Sequence, residues 1–230
     1  MHKPNARKIF MVLNGIIFTL LLLNIASFFH VYFNGLDQND TFFKLTNFNT
    51  EKNIPSVFSG FLHFLASIFL AVVGFSSISI KTSQVFWFTM SFIFLFLGLD
   101  EILRIHETIS GHTAMGHHNN NPFLYTWIIY YGSALILMAV FFFKPLFQLP
   151  RKTLFNFILA GFIFILGAIG LENVAGKYIW THQIDPEMVN VTTELFVLYT
   201  IEEFLEMFGV SFFILSILKF LDLYRTPVTT

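Results

Sequence analysis

The chain has 230 residues, a formal net charge of −1, 55% hydrophobic and only 12% charged residues, and a mean hydropathy of +0.69. A soluble domain carries about 25% charged residues, so this composition excludes an ordinary soluble domain and predicts a multi-pass membrane protein. The near-zero charge argues against a nucleic-acid partner, and the absence of cysteine excludes disulfides, thiolate nucleophiles and Cys-based metal sites.

Apolar runs predict an all-α polytopic bundle of six transmembrane helices, forming a single domain over 1–230. The spans fall at about 9–33, 54–80, 84–106, 123–147, 153–175 and 192–221, each long enough for a hydrocarbon core of about 30 Å. The first run has no small-residue cleavage site and is expected to remain a helix. It brings only Asn14, Asn24 and His30 as polar groups. In the second span Ser56, Ser59, His63 and Ser67 recur at helical spacing and form one polar seam.

The third span ends in "LDEILRIHE", residues 99–107. If the helix runs through it, Asp100, Arg104 and Glu107 share a face of about 60°, Glu101 flanks that face and His106 points elsewhere. The loop that follows, "HETISGHTAMGHHNNN", offers His112, Met115, His117 and His118, which bind an external metal or are simply solvated. Trp127, Tyr130 and Tyr131 of the fourth span, with Trp180 further on, read as interfacial aromatics. The fifth span carries "GAIGLENVAG", whose Gly167, Ala168 and Gly170 permit close helix approach and whose Glu172 sits near the span's end. The sixth carries "LYTIEEFLEMFG", which puts Tyr199, Glu202, Glu203 and Glu206 within an arc of about 100°.

The distribution of Lys and Arg puts both termini in the cytoplasm. Lys3, Arg7, Lys8, Lys81, Lys144, Arg151, Lys152, Lys219 and Arg225 then lie inside, and Asp222 is the one acid on that side. The other acids gather in the outer loops, the outer halves of the helices or near the middle of the last helix. Ionisable residues inside a membrane are costly and point to function. Three carboxylates as deep as Glu202, Glu203 and Glu206 require protons or a shared cation. His63, Glu203, Glu206, Glu172 and His106 are the candidate ligands of a divalent metal, with zinc, manganese or iron suited to imidazole and carboxylate donors. Asp100, Glu101, Glu107 and Glu202 are the candidate catalytic groups.

"LDEILRIHE", "GAIGLENVAG" and "IEEFLEMFGVSFF", in this order, resemble a family of bacterial multi-pass inner-membrane proteins without an assigned activity. The resemblance implies a bacterial inner-membrane location. Ser59-x3-His63 and Asp100 are also similar to two elements of the zinc site of the alkaline ceramidase and progestin-receptor-like membrane hydrolases. That resemblance implies hydrolysis of a lipid amide or ester. It is partial, because Glu203 and Glu206 stand where that superfamily has two histidines, and because six spans are expected here rather than seven.

Three functions therefore stand as expectations. The first is a metal-dependent membrane enzyme open to the outer side, acting on membrane lipids or, with two metals, in redox chemistry. The second is a proton- or cation-coupled transporter or channel. The third is a non-catalytic assembly or sensor subunit whose polar cluster fixes helix pairing.

Overall fold

A computed structural model describes residues 5–50, 52–76, 83–106, 108–109 and 126–225. These residues are helical with short connections. In chain order the elements are α1 (Ala6–Phe33), α2 (Thr41–Thr46), α3 (Ile54–Phe75), α4 (Gln84–Leu103), α5 (Trp127–Phe141), α6 (Phe143–Phe147), α7 (Arg151–Ile165), a π-helical turn (Leu166–Leu171), α8 (Glu172–His182), a 3-10 turn (Pro186–Val191) and α9 (Thr193–Arg225).

Helix starts follow local chemistry. The Asn5 side chain accepts the amides of Arg7 and Lys8, and Ser83 accepts that of Val85. Asn53 and Ser56 form a reciprocal capping box ahead of α3. Such caps matter most at helix ends, because backbone groups deeper in a hydrocarbon environment must be satisfied within the helix itself.

Among the described residues five helices are long and apolar enough to cross a membrane: α1, α3, α4, the continuous α7–π–α8 rod over Arg151–His182, and α9. The fourth expected span, 123–147, is divided: α5 has only 15 residues, and the short α6 follows it. The α7–π–α8 rod also outruns the expected 153–175.

Helix α9 is the central post. It packs against α7, the π turn, α1 and α3, while α3 pairs closely with α4. Helices α1 and α9 are antiparallel, since Phe10 meets Phe212, Phe18 meets Phe204 and Phe28 meets Phe196. The start of α1 and the end of α9 therefore lie at one end of the bundle, called here the terminal end; the opposite end is the loop end. The terminal-end half is mostly apolar, and its buried polar side chains, Asn14, Thr153, Ser211 and Ser216 among them, are uncharged. Its interior holds Leu70, Val73, Phe86, Trp87, Ile217 and Phe220, all buried. Trp87 contacts both Phe157 and Phe220. Among the described residues the buried ionisable side chains are His63, Asp100 and Glu202, and all three belong to the loop-end half.

Candidate functional site

Two close approaches build the site. Gly60 and Gly98 let α3 and α4 touch: a Cβ at Gly98 would stand 3.0 Å from the Gly60 carbonyl oxygen. This pairing sets Ser59 and His63 against the end of α4. On the other side, a Cβ at Gly167 would stand 2.8 Å from the Glu202 carbonyl oxygen and 3.0 Å from Glu206 Cγ. The expected close approach at Gly167 is thus realised against the glutamates of α9. The π turn beginning at Leu166 inserts an extra residue into the helical register. Glu172 opens α8 immediately beyond it.

The carboxyl groups converge. Glu206 interacts electrostatically with Glu203, Glu101, Glu202 and Glu172, and Glu202 with Glu172, Glu203 and Glu101. Three segments, α4, α8 and α9, thereby contribute five glutamates to one electrostatically coupled cluster. Glu202 is 7% exposed, and its Oε2 has no hydrogen-bond partner. Glu101, Glu172, Glu203 and Glu206 are half-buried. Glu206 is the fourteenth residue of α9, about 20 Å along the axis from the loop-end start at 1.5 Å per residue.

Helix α3 supplies the facing wall. Ser59 and His63 are each 1% exposed. His63 Nδ1 donates to the Ser59 carbonyl at 3.0 Å, which leaves Nε2 as a buried acceptor without a partner. Phe94 and Phe164 flank the ring. The Ser59 hydroxyl faces Glu101 but closes no hydrogen bond of ordinary geometry. The predicted seam is real: Ser56, Ser59, His63 and Ser67 are all buried, and Ser67 continues it to Ser91 of α4 by donating to the Ser91 carbonyl at 2.7 Å.

The end of α4 differs from expectation. The helix does not run to residue 106 but stops at Leu103, and Arg104 adopts a left-handed conformation with φ 60°. The helix breaks there and resumes at Ile105. The His106 amide donates to Asp100 Oδ1 at 2.8 Å, and His106 Nδ1 lies 3.2 Å from Asp100 Oδ2. His106 therefore does not point away from Asp100: the broken helix brings its backbone and ring onto that carboxylate. The expected shared face of Asp100 and Arg104 dissolves with the helix. Asp100, 6% exposed, is committed to holding this turn. Glu107 and the residues His112, Met115, His117 and His118 lie outside the described residues.

Aromatic side chains of α5 roof the chamber. Trp127 is 6% exposed and donates its indole Nε1–H to Glu172 Oε1 at 3.1 Å. Its ring contacts His106 and Tyr131, and Tyr131 meets Phe96. The Tyr131 hydroxyl faces Asp100. Trp127 and Tyr131 thus pack against the site. The sequence holds a weak signal for this, since both open an apolar helix directly after the polar loop.

The expected metal ligands are not gathered into one set. Among the described residues no group of three or more His, Asp or Glu side chains is arranged to hold a metal ion. His106 is bound to Asp100, Glu172 to Trp127, and His63 sits between phenylalanines. The donor types suit a divalent cation, and Glu202 Oε2 and His63 Nε2 are open acceptors. A metal would require the glutamate side chains to turn toward one another.

Among the described residues, fold and site together define a helical bundle with five membrane-length helices and an acidic cluster beside aromatic side chains in one half of the bundle. A family model matches residues 15–220, and the chain belongs to this family, described as a domain of unknown function (DUF8692). No curated protein and no solved structure matches the chain.

Proposed function

We propose that the chain is a six-span membrane protein that binds a cation in a one-sided intramembrane chamber and acts there as an enzyme on a membrane lipid, an amide or an ester. The observation that carries this reading is the electrostatic coupling of Glu101, Glu172, Glu202, Glu203 and Glu206 in one half of the bundle, while large apolar side chains fill most of the other. A conduit needs polar groups on both sides of its centre. Phe86, Trp87, Leu70 and Ile217 fill the path toward the terminal end, which favours catalysis or binding over transport. Arg7, Lys8, Lys144, Arg151, Lys152 and Lys219 are exposed at the terminal end, which supports a cytoplasmic placement of that end and an outward-facing chamber. The family resemblance supports a bacterial inner membrane. The sixth span is α5 with α6: Trp127 lies by Glu172 at the loop end, and Phe142 reaches Phe86 in the other half.

In the metal-dependent form, Glu203, Glu206 and His63 would hold the ion once their side chains turn toward one another, and zinc, manganese or iron would supply Lewis acidity there. Glu202, buried and unpartnered, is then the group that takes or returns the proton. Asp100 and His106 hold the rim. The test is metal analysis of the purified protein after equilibration with each ion. The reading expects about one ion per chain in wild type and none in Glu203→Gln/Glu206→Gln. Equal, non-saturating uptake by both proteins would sink the metal-dependent form.

A further inference from the structure

We infer that the elbow joining α6 to α7 is a binding site for an anionic phospholipid of the leaflet at the terminal end. Lys144, Arg151 and Lys152 hold its phosphate, and an acyl chain lies along the exposed face of α7. The inference rests on the membrane-spanning fold and is independent of the acidic cluster at the other end.

The first support is a braced scaffold. The elbow is the stretch "KPLFQLPRK", residues 144–152. Phe142 packs on Phe86, Leu146 packs against the apolar core, and Leu149 is buried within it. These three recur at helical spacing and clamp one side of the elbow to the bundle. Pro145 and Pro150 each fix a backbone torsion. The Leu146 amide donates to the Phe142 carbonyl, Gln148 to Lys144, Leu149 to Leu146 and Leu154 to Pro150. The basic side chains therefore leave a backbone that is already ordered, so a ligand does not have to organise it.

The second support is charge without a counterion in the protein. Lys144, Arg151 and Lys152 are exposed, and among the described residues none of them forms an ion pair. The sequence gives the reason, since no Asp or Glu occurs between Glu107 and Glu172. Residues 77–82, which lead into α4 near Phe86, lie outside the described residues; their sequence brings Lys81 and no acid. Clustered cations at a membrane surface attract anionic headgroups. Arginine adds two parallel N–H donors that match phosphate oxygens.

The third support is the apolar surface next to these cations. Arg151, Phe155, Ile158 and Phe162 follow i, i+4, i+7, i+11 spacing, and all four are exposed. One face of α7 thus starts with a guanidinium and continues as a hydrocarbon-contacting stripe. Beside the cations, Phe143 and Phe147 stack at 4.4 Å and stay exposed. Aromatic rings flanked by basic residues suit the junction of headgroup and hydrocarbon. A phosphate above and an acyl chain below match both parts of this surface. A free phosphate would leave the stripe unused.

The test uses the full chain and native mass spectrometry, with dioleoyl phosphatidylglycerol and dioleoyl phosphatidylcholine as probes. The anionic lipid is expected to bind about tenfold or more tightly, a factor within reach of three cations at a headgroup. Lys144→Gln/Arg151→Gln/Lys152→Gln is expected to bring the two lipids within about twofold of each other. Arg7→Gln/Lys8→Gln, which removes as exposed a pair of charges from the same end, is expected to keep the preference. Phe155→Ala is expected to weaken retention of both lipids several-fold, and glycerol 3-phosphate is expected not to compete. Equal binding of the two lipids, a preference that survives the triple variant, or an equal loss in Arg7→Gln/Lys8→Gln would each overturn the inference, the last by making the charge a diffuse belt. Full displacement by glycerol 3-phosphate would overturn it in favour of a soluble phosphate ligand. Glu203→Gln/Glu206→Gln is expected to keep the lipid preference whatever its effect on metal uptake, so the two readings fail separately.

Discussion

The two halves of the bundle are built to opposite rules. In the terminal-end half, large apolar side chains interlock, and Ser216 hides its hydroxyl on the Phe212 carbonyl of its own helix. In the loop-end half, glycines pull helices together and polar groups face one another across the gaps. Some of those polar groups are fully satisfied. Asn24 accepts the Phe48 amide at 2.9 Å and donates to Thr200 Oγ1 at 2.9 Å, tying α1 to the loop and to α9. Others are not: Glu202 Oε2 and His63 Nε2 stand open. Buried polar groups are normally paired. The contrast within one half-bundle therefore separates polar groups that hold the fold from polar groups held for a ligand.

That contrast can be broken by mutation. Trp87→Ala empties the dry half and should cost about 3–5 kcal/mol in reversible unfolding in detergent, the largest effect expected. Gly167→Ala presses a methyl group against the Glu202 backbone and should cost about 1–3 kcal/mol while displacing the glutamates. Asn24→Ala leaves the Phe48 amide unpaired and should cost about 1–2 kcal/mol, read from the same unfolding curves. Glu202→Gln should change stability least, by less than about 0.5 kcal/mol or in the stabilising direction, because it removes a buried group whose second oxygen has no partner. The same variant should abolish turnover, because Glu202 is the group assigned to move the proton. If Glu202→Gln destabilised as much as Trp87→Ala, the acidic chamber would be a structural network, and the third expectation from the sequence would replace the enzyme.

Much of this was legible before any coordinates. The period of Ser56, Ser59, His63 and Ser67 marked a seam that is buried throughout. The spacing of Glu202, Glu203 and Glu206 marked one face of the last helix, and those carboxyls do meet Glu101 and Glu172. The break after Leu103 was not legible. No glycine or proline stands there, and the apolar spacing continues through Ile105. The turn forms because Asp100 captures the His106 amide and ring, a tertiary-scale contact that outweighs the strain of a left-handed Arg104. The π turn was equally hidden. "GAIG" announced close packing, but nothing in it announced an extra residue in the register. The role of Trp127 in the site is not legible in the sequence either, because its indole partner, Glu172, is 45 residues away.

The absence of cysteine makes the central claim open to a direct measurement, since a single introduced thiol reports alone. Glu203→Cys and Ile217→Cys, in membranes, can be treated from each side with a cationic and an anionic membrane-impermeant thiosulfonate. The account predicts that Cys at position 203 reacts from the loop-end side only and faster with the cationic reagent, while Cys at position 217 reacts from neither side. Labelling of position 203 from the terminal side, or equal rates for the two reagents, would contradict a one-sided cation chamber.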